Sequence, residues 1–138
     1  MNISSLSHKE RSLLFAKLSS IAYSDETEAA KAAKKLGFTQ TEFYNRDGAQ
    51  AFRFATKTDM VIACRGTQPS EFNDIKADLR AIPTISETVS RVHKGFKSEV
   101  DELWPMIRED LDDATKKKVW VCGHSLGAAM ATIIASRL

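Results

Sequence analysis

The sequence predicts an α/β fold with an antiparallel meander near the N-terminus, followed by a mostly parallel sheet with flanking helices. Three observations carry this. Residues 60–64 are wholly apolar and of strand length, and residues 119–122 form a second such run, as expected of strands covered on both faces. A helical pattern lies between them, so the two strands are joined by a crossover and run parallel, right-handed by the usual rule. Upstream, two segments rich in aromatic residues flank a turn signal, which reads as the start of the meander.

Each element has its own signal. Ser7 caps a first helix, with Glu10 three residues later in capping-box position. Residues 11–23 then place Leu14, Leu18 and Ile21 on one face, supported by Phe15. Asp25 caps a second helix, the Ala- and Lys-rich run 26–36, which Gly37 stops. Residues 38–44 are the first strand, 45–48 a turn, and 49–55 the second strand, with Phe52 and Phe54 on one face. Another turn, 56–59, leads into 60–64, the third and central strand. Residues 65–92 read as a polar loop holding one short helix, capped by Ser70 and broken at Pro83. A long helix over about 95–113 aligns Phe96, Val100, Leu103, Ile107 and Leu111, and Pro105 predicts a kink or a split in it. The strand 118–122 and an Ala-rich helix, 125–138, complete the chain.

Composition narrows the function classes. The chain has 138 residues, with no repeat or linker to divide it. Lys and Arg number 20 against 18 Asp and Glu, a near-balance that argues against nucleic acid as the main partner. Hydrophobic residues are 43% and charged residues 28%, a globular profile, neither disordered nor membrane-embedded. The longest nearly apolar run, 128–135, is far short of the roughly 20 residues of a transmembrane helix. Cys64 and Cys122 are too few for a disulfide framework, lack metal-ligand spacing, and read as buried thiols. Residues 1–10 lack the apolar core of a signal peptide, so a cytoplasmic location is the default expectation, with secretion of a processed form left open.

The chemistry concentrates at Gly123-His124-Ser125-Leu126-Gly127, which follows one apolar strand and opens the last helix. This is G-x-S-x-G in the strand–turn–helix context that gives it meaning. A serine at such a sharp turn takes a strained backbone and projects its hydroxyl above the sheet. The residues two before and two after approach each other closely, and both are glycine. The helix N-terminus adds free N–H groups where an oxyanion would form. A second signal is Arg65-Gly66-Thr67, at the end of the other apolar strand. If the two strands are neighbours, the Thr67 N–H joins that of Leu126 in an oxyanion hole, and the Thr67 hydroxyl adds a third donor. A nucleotide-binding unit is the weaker reading, because G-x-G-x-x-G and the acidic residue after it are absent.

Cys64-Arg65-Gly66-Thr67, Val92-His93-Lys94-Gly95-Phe96 and the run from Val121 to Ala129 resemble three consecutive motifs of the class 3 (fungal-type) lipases, in that family's order. Asp78-Leu79 and Trp104-Pro105 match two further pairs, and the resemblance covers residues 52–138. It implies an α/β-hydrolase-type fold with Ser125 as nucleophile and Thr67 and Leu126 as the oxyanion hole. It also implies that residues 68–82 occupy the lid position. Ile75 stands where the family often has Trp, and Ala128 where Gly is common. The substrate implied is an acyl ester, at a lipid surface or free, with no cofactor and no metal.

In this fold the triad runs Ser, then Asp or Glu, then His along the chain. The 13 residues after Ser125 hold neither an acid nor a histidine. The expectation is therefore that residues 1–138 are the N-terminal portion of a single hydrolase domain, truncated after the nucleophile-elbow helix. The chain alone is then inactive, and a C-terminal fragment or chain supplies the acid and the histidine. The second parallel strand would be left with an open apolar edge that pairs with that partner or aggregates. His124 diverges from its neighbour Ser125, His93 is implied to be structural, and His8 sits exposed at a helix start, so none reads as the base. Asp74 and Asp78 read as a solvated helix face, and 116–118 as a solvated lysine turn. The alternative to an ester hydrolase is a catalytically incomplete module of the same fold that binds an apolar ligand or a partner chain.

Overall fold

The computed structural model describes residues 1–66, 83–84 and 92–138, with the backbone alone at 83–84 and 92–93. The candidate residues Thr67, Asp74 and Asp78, the short helix after Ser70 and the lid segment 68–82 lie outside the described residues.

The local signals at the N-terminus act as read. Helix α1 (His8–Ile21) starts with a complete capping box, in which Ser7 Oγ accepts the Glu10 N–H and the Glu10 carboxylate accepts the Ser7 N–H. Its buried side chains are Leu14, Leu18 and Ser19. Helix α2 (Glu26–Lys35) is capped by Asp25, which accepts the Glu28 N–H at 2.9 Å. It ends in a Schellman closure. Gly37, at φ +95°, donates to the Lys34 carbonyl, and Phe38 donates to the Ala33 carbonyl.

That closure shifts the first strand. With its N–H held by α2, Phe38 fills the core between helix and sheet, and β1 spans Gln40–Arg46 instead of 38–44. Strands β2 (Ala49–Ala55) and β3 (Asp59–Cys64) follow as an antiparallel meander. The two-residue β1–β2 loop has positive φ at Asp47 and Gly48, the requirement of a type I′ turn. Two-residue strands β4 (Pro83–Thr84) and β5 (Val92–His93) pair antiparallel, a feature too short to leave a sequence period. Helix α3 (Lys94–Asp113) runs unbroken through Pro105, so no split occurs. Its buried stripe Val100, Leu103 and Ile107 spans the proline and holds both halves on the sheet. Strand β6 (Lys118–Gly123) and helix α4 (Leu126–Arg137) complete the described chain.

The main sheet has the order β1-β2-β3-β6, and β3 and β6 are parallel. All six residues of β3 are buried, as the apolar run 60–64 demands of five of them. Val61 and Ala63 face a core shared with α1 and α2. Ile62 and Cys64 face the opposite core, shared with α3 and α4. The sheet is thus the middle of three layers. Strand β6 pairs with β3 on one side, and its other edge carries no strand among the described residues. Only Cys122 of its six residues is buried.

Polar ties fix the bottom of the sheet. The buried Asp59 carboxylate accepts the Trp120 indole N–H at 2.9 Å, the Thr58 hydroxyl at 2.6 Å and the Ile3 amide at 3.3 Å. Burial works to raise its pKa, but these bonds and the Lys118 charge hold the carboxylate below its ordinary value. The lysine run is more than a solvated turn. Lys117 Nζ donates to the Thr56 carbonyl at 2.7 Å, and Lys118 Nζ to Ser4 Oγ at 2.9 Å. Lysine stems long enough to reach across the start of β6 explain the difference.

Candidate active site

Strands β3 and β6 run in register, with Ile62 opposite Val121 and Cys64 opposite Gly123, so both chains leave the sheet at one end. The G-x-S-x-G segment leaves β6 there, and Arg65-Gly66 leaves β3 beside it. Ser125 has φ 56° and ψ −123°. That is the conformation of the first central residue of a type II′ turn, a position normally held by glycine. The Gly127 N–H donates to the His124 carbonyl at 3.0 Å and closes the turn. Ser125 is exposed, and its hydroxyl makes no capping bond to α4.

The two flanking glycines are required by contact. A Cβ on Gly123 would strike the Gly127 carbonyl group and come within 2.8 Å of the Ala128 nitrogen. A Cβ on Gly127 would lie 2.5 Å from the Cys64 carbonyl oxygen and 2.9 Å from the Gly66 nitrogen. Distances under 3.0 Å leave no room for a methyl group, so the spacing expected from the motif is observed. The second contact also shows that the end of β3 packs directly against the turn. The N–H of Leu126, first residue of α4, has no intrahelical carbonyl within reach and sits where the helix dipole is positive.

The neighbouring side chains sort by what they touch. His124 is exposed, and its Nδ1 lies 3.2 Å from the Tyr23 hydroxyl. His8 opens α1 and is exposed. The backbone of His93 lies in β5, and its side chain is outside the described residues. Both cysteines are buried and free, as read. Burial raises the pKa of both thiols, Cys122 to about 11 against a lowering bond from Ser19, and that of Cys64 further still. Neither is a thiolate at neutral pH. Among the described residues no cluster of three or more His, Cys, Asp or Glu is placed to hold a metal ion, and no helix is long and apolar enough to cross a membrane. A cavity of about 700 Å³ opens between α1 and β6, lined by Phe15, Ser19 and Tyr23 on one side and Val121 and His124 on the other. Tyr23 carries no motif signal, because its partner His124 lies 101 residues away in the chain.

Similar proteins are known by family and by fold. Residues 61–138 match the family model described as Lipase (class 3). The structure is similar to a triacylglycerol lipase whose catalytic centre is described as a serine protease triad, at 25% identity and a TM-score of 0.71, covering 96% of this chain and 56% of that one. It is also similar to the triacylglyceride lipase of Rhizomucor miehei, at 25% identity and a TM-score of 0.68, covering 94% of this chain and 55% of that one. A lipase from Rhizopus microsporus var. chinensis shares the fold at 20% identity and a TM-score of 0.70, covering 96% of this chain and 52% of that one. The chain thus spans about half the length of the solved lipases it matches. No curated protein sequence matches it.

Proposed function

The chain belongs to the class 3 lipase family and has an α/β-hydrolase-type fold, and on that premise we propose that it carries the nucleophile and oxyanion hole of a serine carboxylic-ester hydrolase. One observation carries the reading: Ser125 is an exposed serine held in a backbone conformation that glycine would prefer. Such strain persists only where the surroundings over-determine it, and here Gly123, Gly127 and the end of β3 do so.

In the reaction, Ser125 Oγ attacks the ester carbonyl and its proton passes to a histidine, which an Asp or Glu orients. The tetrahedral intermediate places its oxyanion between the N–H groups of Leu126 and Thr67. Collapse expels the alcohol, and water then releases the acid from the acyl-enzyme. Residues 1–138 act as the N-terminal portion of a single domain. The histidine and the acid come from a complementing segment seated along the edge of β6 that carries no strand among the described residues. The steps above call on side chains and water alone. The substrate is an acyl ester of the triacylglycerol class or a relative.

The test is hydrolysis of p-nitrophenyl acyl esters by these residues joined to their complementing segment. Ser125→Ala is expected to lower kcat by roughly 10⁴-fold or more. Hydrolysis that survives this substitution contradicts the reading. A folded, complemented protein that hydrolyses no ester instead supports a module that binds an apolar ligand.

A further inference from the structure

We propose that Tyr23 is a positioning residue for this site, clamping the Ser125 turn and the Gly66 strand end to α1 through its hydroxyl. The inference rests on the ester-hydrolase reading above and concerns what holds the nucleophile turn in place.

Three contacts converge on one oxygen. Tyr23 Oη lies 3.2 Å from His124 Nδ1 and 3.4 Å from the His124 carbonyl oxygen. It also lies 2.7 Å from the point where a Cβ on Gly66 would sit. Both polar contacts are satisfied when His124 Nδ1–H donates to the tyrosine oxygen and the tyrosine O–H donates to the carbonyl. That carbonyl also accepts the Gly127 N–H that closes the turn around Ser125. The hydroxyl therefore holds the turn from its outer side, while the ring meets His124 edge-on at 6.0 Å between centroids. Gly66 is caught between the two, since its Cβ position is also 2.7 Å from the His124 carbonyl oxygen and 3.0 Å from the Gly127 nitrogen.

Tyr23 is itself anchored. It follows the last turn of α1, its N–H donates to the Ser20 carbonyl, and the next N–H, of Ser24, donates to the Ile21 carbonyl. One fixed phenol thus bonds the residue before the nucleophile and lies against Gly66, where the chain leaves β3. Leu126, whose N–H is a proposed oxyanion donor, lies two residues beyond His124 and within the same turn. A group that fixes this turn fixes where the Ser125 hydroxyl and the Leu126 N–H stand relative to each other, and that placement is worth rate only in the transition state.

Tyr23→Phe keeps the ring and removes the clamp. In the complemented enzyme it is expected to lower kcat roughly 10-fold with KM within about twofold. Affinity for an alkyl boronic acid, which forms a tetrahedral adduct on serine, should fall by the same factor. End-point titration of Ser125 with a fluorophosphonate counts folded sites, so kcat is expressed per competent site. In a His124→Ala background the same substitution should cost less than in wild type, since one of its two bonds is already gone. Wild-type kcat and boronate affinity in Tyr23→Phe, while Ser125→Ala is inactive, overturn the proposal and leave the hydrolase reading standing. Activity that survives Ser125→Ala overturns both.

Discussion

Two residues other than glycine have positive φ among the described residues, Asp47 at 49° and Ser125 at 56°, and they teach different things. Asp47 sits in an exposed hairpin loop, followed by Gly48, where nothing lies within 4 Å of an added Cβ. Its conformation is dictated locally by a two-residue loop joining twisted strands, and aspartate tolerates it. Ser125 adopts the type II′ geometry that serine tolerates poorly, and its neighbours are packed to the limit. Hairpin geometry is cheap and follows from the turn. The serine geometry is costly and is imposed by two strands and a helix that meet at Gly66, Gly123 and Gly127.

Substitutions at these positions break or sharpen the contrast. The largest effect is expected from Gly127→Ala, whose methyl group would overlap the end of β3. It should destabilise the protein by about 3 kcal/mol or more, read as a drop in the urea midpoint, because backbone on both sides must move. A midpoint within error of wild type would show that the turn is loosely packed. Ser125→Gly should act in the opposite direction. It relieves about 1–3 kcal/mol of backbone strain and loses somewhat under 1 kcal/mol to the freer unfolded chain, for a net gain of about 1 kcal/mol with loss of hydrolysis. Asp47→Gly should change stability by no more than a few tenths of a kcal/mol, because little strain is stored there. Equal midpoint shifts for the two glycine substitutions would erase the distinction.

What the sequence made legible was local or periodic. Ser7 and Glu10 form the capping box they spell, the apolar run after Asp59 is the fully covered strand, and Gly123 and Gly127 mark the turn around Ser125. The start of β1 was not legible, because Phe38 looks like a strand residue and is recruited by the end of α2 through its N–H. Lys117 and Lys118 looked like solvated charge, yet reach Thr56 and Ser4 across the fold. Tyr23 could not be found from the sequence for the same reason, since its role depends on a contact that only the folded topology creates. For Lys117, Lys118 and Tyr23 the miss is a long-range contact overriding a local signal, and for Phe38 it is a helix-closing bond overriding a strand-like side chain.

In the proposed reaction Ser125 is an activated nucleophile. The most direct measurement is intact mass and peptide mapping after exposure of the complemented protein to a fluorophosphonate. One adduct per chain is expected, on Ser125, with loss of the fluoride, and none in Ser125→Ala. An adduct elsewhere, or none in a folded and complemented protein, contradicts it.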